Sequence, residues 1–241
     1  MRKNGHQAQL SSQERLFLGL AEQLARPFLQ IAHLSELAQT DPQAASVQQW
    51  QLVNAIADSS LQLVESYALS LRVHGKVTPL ELEPVTMSSL LYDTAAALEP
   101  LARRYGVELE LDTGPRAHPV MADRAVLQSA MVSLGQVFVA AQAESDTPSA
   151  VRLAAHHGRY GVVAGMYGNM PGLGADSLRR AHQLQGTSRQ PMQRLVSGPA
   201  AGVFVADSLL HTLAAHLHIA RYRNLTGLAA TLQPSQQLHL I

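Results

Sequence analysis

Cysteine is absent from the 241-residue chain. Its absence removes disulfides, thiolate zinc sites, iron–sulfur clusters and a cysteine nucleophile together. Aromatic residues are scarce at 5%, with a single tryptophan, and charged residues reach only 15%. Lys plus Arg equals Asp plus Glu at 18 each. Such a chain lacks the broad basic field that binds nucleic acid or an anionic membrane, so no nucleic-acid partner is expected. Long apolar runs are missing too. The longest uncharged segment of spanning length, residues 126–143, contains Gln128, Ser129, Ser133, Gln136 and Gln142. A transmembrane helix of ~20 residues would carry those side chains at a cost, so the segment reads as a buried helix, with no membrane insertion. Residues 1–14 hold no apolar stretch and do not read as a secretory signal. A cytoplasmic location is expected.

Apolar residues make up 46% of the chain, enough for a sizeable core. Low charge also suggests that part of the surface is covered by a partner or a second copy. Residues 1–11 read as a disordered tail. Ser11 and Glu14 have the spacing of a capping box. From there Phe17, Leu20, Leu24, Pro27, Phe28, Ile31, Leu34 and Ala38 share one helix face. Thr40-Asp41-Pro42 ends that helix, and a second stripe follows at Trp50, Val53, Ile56, Ser60, Leu63, Tyr67 and Leu71. Two amphipathic helices with a short break predict an antiparallel hairpin over residues 12–76. A homodimer forming a four-helix bundle would close its open faces.

Beyond Gly75 and Pro79 the texture changes, and residues 77–241 predict an α/β sandwich of mixed sheet with about three helices. Strands are expected at residues 80–84, 107–111, 119–121, 150–156, 161–167, 217–222 and 227–232. Thr86 and Asp123 are candidate helix caps. Helices are expected to about Arg104, across the uncharged segment, and from Ala201 to about Ala215. A Gly/Pro-rich loop at residues 168–174 leads to a short helix near residues 176–183.

This order, a helical hairpin and then an α/β sandwich with two glycine loops, resembles the core of a bacterial sensor histidine kinase over roughly residues 12–233. In that family the first helix carries a motif close to H-E-L-R-T-P-L. Here Leu24, Pro27 and Phe28 fit it, and the phosphoacceptor position holds Glu22. The segment Ser197-Gly198-Pro199-Ala200-Ala201-Gly202-Val203 resembles the family's second glycine loop. The resemblance implies an α+β chain with a dimerising hairpin and an HSP90-like ATPase domain.

The departures shape the expected function. Glu22 cannot act as the imidazole nucleophile of phosphotransfer. Gln23 and Arg26 replace the acidic and water-positioning residues that follow in the family. Ser133 and Val137 occupy the family's two asparagine positions, where Mg²⁺ would need oxygen ligands. The adenine-reading D-x-G-x-G becomes Met170-Pro171-Gly172-Leu173-Gly174, replacing the carboxylate by a thioether. The glycines, Gly172, Gly174, Gly198 and Gly202, then keep inherited backbone geometry without a nucleotide. No catalytic residue, cofactor or metal is expected, and the chain reads as a pseudo-histidine kinase.

Partner docking is expected on the first helix. With Glu22 at 0°, the outward stripe holds Leu18, Arg26, Leu29 and His33. Apolar Leu18 and Leu29 rimmed by charge suit a response-regulator receiver domain or another histidine kinase; alternatively, the two leucines pack under the ATPase-like domain. His33 is either a solvated surface histidine or a displaced phosphoacceptor, the latter making the chain an atypical kinase or phosphatase or a bundle-type histidine phosphotransferase. His211, His216 and His218 do not align on one helix face at i, i+5 and i+7, which argues against a metal cluster.

Overall fold

A computed structural model describes Leu24 and residues 28–38, 47–74, 77, 79–114, 119–143, 150–169 and 199–235. Residues 28–38 form helix α1. Helix α2 (Val47–His74) is followed by β1 (Glu83–Thr86), α3 (Met87–Tyr105), β2 (Leu109–Asp112), β3 (Pro119–Ala122) and α4 (Arg124–Ala143). A hairpin of β4 (Val151–Gly158) and β5 (Gly161–Gly168) comes next. Helix α5 (Pro199–Thr212) and the hairpin of β6 (Leu217–Tyr222) and β7 (Leu225–Leu232) are the last elements among the described residues.

The main sheet runs β2-β4-β5-β7-β6. Its β2–β4 pair is parallel and the other three pairs are antiparallel, giving the mixed sheet expected. Strands β1 and β3 form a separate antiparallel ribbon. The chain after β7 extends that ribbon, with Met121 N–H donating to the Gln233 carbonyl and Ser235 N–H to the Pro119 carbonyl. Helices α3, α4 and α5 pack in that order over one sheet face. The core follows the period-2 alternation of the strands: Leu153 and Ala155, Val162, Ala164 and Met166, and Leu228, Ala230 and Leu232 are all buried beneath the helices.

Several boundaries shift from the sequence reading for local reasons. The first strand of the sandwich lies at Glu83–Thr86 rather than residues 80–84, because its partner is β3, which pairs Glu83 with Ala122 and Thr86 with Pro119. Asp123 caps α4 as expected, accepting the Val126 N–H at 3.1 Å, and its second oxygen accepts the Glu81 N–H. Thr86 occupies the cap position of α3 without a side-chain hydrogen bond. At the other end of α3, Gly106 takes a left-handed φ of 65° and its N–H closes the last turn. Strand β4 runs on to Gly158 rather than ending at residue 156, leaving Arg159-Tyr160 as the turn to β5, and α5 stops at Thr212 rather than near Ala215. The short helix expected near residues 176–183 lies outside the described residues.

Helix α2 departs furthest from its expected role. Spacing assigns its stripe Trp50, Val53, Ile56, Ser60, Leu63, Tyr67 and Leu71 to a bundle, and Trp50 and Leu71 are indeed exposed, whereas Ile56, Ser60, Leu63 and Tyr67 are not. These side chains are instead buried, and α2 packs on α3, α4 and α5. Leu63, Tyr67 and Val73 belong to the same apolar cluster as the sandwich core. Buried Ser60 is accommodated because its hydroxyl donates to the Ile56 carbonyl one turn back. Periodicity identifies the apolar face but not what covers it.

Candidate functional site

The site expected from the sequence centres on α4, anchored at its start by Asp123. Arg124 at the first turn donates to Ser89 and pairs with Asp93, both on α3. Further along, the face that carries Ser133 and Val137 is closed. Ser133 is 1% exposed and Val137 is 5% exposed. The Ser133 hydroxyl has no hydrogen-bond partner among the described residues. Phe138 is buried beside them. Between Ser133 and Phe138 the one side chain with an amide or carboxylate oxygen is Gln136, and it is engaged: its amide donates to the Gln62 carbonyl oxygen on α2 at 3.1 Å.

A second polar link ties α2 to the helix layer, Ser70 to Ser208 on α5, with hydroxyl oxygens 3.1 Å apart. Together the two links bracket the buried Leu63 and Tyr67. Beside Gln136 a groove of about 380 Å³ opens between α2 and α3, lined by Asp58, Leu61, Gln62 and Glu65 and by residues 96–98 and Pro100 and Leu101. Among the described residues its lining carries two carboxylates, Asp58 and Glu65, and no cationic side chain. A triphosphate would meet like charge there.

Gly202 is buried in the first turn of α5. Met170, Gly172, Gly174 and Gly198 lie outside the described residues, as do Leu18, Glu22 and Arg26. On α1, Leu29 is 69% exposed and Phe28 is 56% exposed, and His33 is also exposed. Ile31, Leu34 and Ala38 on its other face are half-buried.

Spacing gave no hint of a second constellation on the sheet face away from the helices. Small residues Ala154, Gly165 and Ala229 are paired across β4, β5 and β7, leaving room above the sheet. Tyr167, His156 and Tyr222 fill it: Tyr222 stacks on His156 at 5.0 Å and meets Tyr167 at 5.3 Å. Arg223, at the β6–β7 turn with φ 52°, reaches Asp112 on β2 at 2.7 Å. Burial pushes the Tyr167 phenol up to about 12, with Tyr222 adding to the effect. The same burial lowers His156 below its ordinary value, which Asp112 offsets in part. For Tyr222, burial comes first and the hydrogen bond to Asp112 second in raising it. In the sequence this constellation leaves only adjacent small pairs, Ala154-Ala155, Ala164-Gly165 and Ala229-Ala230, whose meeting depends on the strand order.

Helix, ribbon, sheet and three covering helices together have counterparts among solved structures. The Acinetobacter baumannii histidine kinase AdeS superposes with a TM-score of 0.55 at 11% identity, covering 87% of this chain and 96% of that one. Full-length ShkA, solved in complex with AMPPNP, matches at 0.53 and 17% identity over 79% of this chain and 40% of its own. A bacterial phosphotransferase matches at 0.50 and 10% identity over 92% and 98%. The chain therefore has the fold of a histidine kinase core, a helical part followed by an ATPase-type α/β sandwich. No family model and no curated protein matches the sequence.

Proposed function

We propose that the chain is a non-catalytic, dimeric two-component signalling protein, a pseudo-histidine kinase of the cytoplasm that docks a response-regulator receiver domain or another histidine kinase. The carrying observation is the closure of α4, where Ser133 and Val137 are buried. Mg²⁺–nucleotide binding needs oxygen ligands presented to an open pocket, and a valine supplies none. The acidic groove beside Gln136 supports the same reading. Neither a cofactor nor a metal takes part in this role.

In this reading residues 12–76 are the dimerising helical part, residues 77–241 the degenerate ATPase-like body, and Leu18, Glu22, Arg26 and Leu29 the docking surface. The exposure of Leu29 favours that surface. Melting with millimolar ATP and Mg²⁺ is expected to leave the transition temperature unchanged. Because a ligand at ~100 times its dissociation constant adds about 2.7 kcal/mol, a clear upward shift would overturn the proposal. Arg26→Glu and Leu29→Ala are expected to weaken receiver binding without loss of fold.

One observation favours a second reading. His33 stands exposed on α1, and the fold is shared with a protein described as a phosphotransferase. A histidine phosphotransferase relaying through His33 would need no nucleotide. Transfer of phosphate from a phosphorylated receiver to this chain, abolished in His33→Ala, would select that reading over docking alone.

A further inference from the structure

Helix α5 ends in a tightly specified turn. Ala215 N–H donates to the Leu210 carbonyl and Ala214 N–H to the His211 carbonyl, each at 3.0 Å. That pair of bonds is the Schellman pattern, with Ala214 rather than glycine in the left-handed position at φ 55°. Just beyond, the Leu217 N–H is held by the buried carboxylate of Asp207 at 3.0 Å, fixing where β6 begins. Between these anchors His216 is folded back over His211. Their rings lie 4.7 Å apart at 56°, and Nδ1 faces Nδ1 at 3.3 Å. Had the helix run on to residue 215, the two imidazoles would have diverged.

We propose that His211 and His216 form a two-imidazole site for a divalent transition-metal ion, with Zn²⁺ as the probe. Zinc binds imidazole nitrogen at about 2.0–2.1 Å in tetrahedral geometry, which places two such nitrogens roughly 3.3–3.4 Å apart. The observed separation matches that bite, and it is long for a hydrogen bond sharing one proton. The negative end of the α5 dipole lies at the same place and favours a cation. Both rings are exposed, so water or a group from another molecule can complete the coordination shell. Among the described residues no third His, Cys, Asp or Glu side chain joins them. His218 turns its Nδ1 to the His216 carbonyl at 3.4 Å and stays outside the pair. Imidazole ligands suit zinc, copper and nickel, whereas Mg²⁺ prefers oxygen.

The test is calorimetric titration of the full, untagged chain with ZnCl₂ and, separately, MgCl₂. One zinc ion per chain is expected, with no response to magnesium. His211→Ala and His216→Ala should each lose at least the roughly tenfold affinity typical of a weakened metal shell, and His218→Ala should not. Circular dichroism checks that each variant keeps its fold. If a variant fails that check, zinc-induced shifts of the His211 and His216 ring resonances in the parent protein take its place. Absence of zinc binding, unchanged affinity in both variants, or ring resonances that do not move would each overturn the site.

Discussion

Tyr167 is fully buried, yet its hydroxyl finds no partner among the described residues. An unsatisfied buried hydroxyl carries a desolvation cost of about 1–3 kcal/mol. Tyr167→Phe keeps the ring and removes that oxygen, so its stability to urea should equal or exceed the parent's, by up to about 1 kcal/mol; a clear loss would reveal a partner for the hydroxyl. His156 contributes a pH dependence of definite sign. Its imidazole is held below the ordinary value of 6.5 by burial, so below that pH the unfolded chain takes up a proton that the folded chain resists. Stability therefore falls as pH drops from 6.5 through the folded value. Urea melts stepped through this range should show a shallower fall in His156→Gln than in the parent. At the alkaline end Tyr167 acts oppositely: raised to about 12, it favours the neutral fold, and stability declines as pH rises from 10 toward that value.

Among the elements, β7 tolerates least. A Cβ added at Gly227 would stand 1.9 Å from the Met166 carbonyl oxygen on β5, a backbone atom that cannot turn aside. Gly227→Ala is expected to cost about 1–3 kcal/mol, read as a lower denaturation midpoint with unchanged slope. An unchanged midpoint would mean that β5 and β7 separate more easily than their register indicates. Helix α4 was legible as an element, because its cap residue and its uncharged run are local properties, and Asp123 does hold the Val126 amide. By length and composition α4 could cross a bilayer, but 67% of that window is buried inside the fold. The end of α5 was not legible. No glycine marks it, and Ala214 accepts a left-handed conformation only because the Asp207–Leu217 bond and the sheet beyond hold the chain in place.

Across the whole molecule, α2 has two apolar faces. One is spent on the sandwich; the other leaves Trp50, Leu61, Val64 and Leu71 exposed at helical spacing. Phe28, Leu29 and Leu37 on α1 are exposed as well. In the proposed homodimer this second face is the seam. Trp50 is the chain's one tryptophan and is 55% exposed, so its fluorescence reports on the seam directly. Dilution should shift its emission to longer wavelength as dimers part, and Leu61→Asp should give the monomer spectrum at every concentration. Emission independent of concentration, with a monomer mass by sedimentation, would remove the dimer from the proposal.

The amino-acid sequence by itself determined the class of the fold, the order of its elements, the capping of α4 and the excluded chemistries. Each of these depends on local periodicity, on one cap, or on a residue type that is simply absent. Tertiary structure decided which face of α2 is covered, since helical spacing marks an apolar stripe without naming its neighbour. It also decided that His211 and His216 meet, and that Tyr167, His156 and Tyr222 share one trough. Those groupings depend on where a helix stops and on which strands lie side by side, and long-range packing settles both.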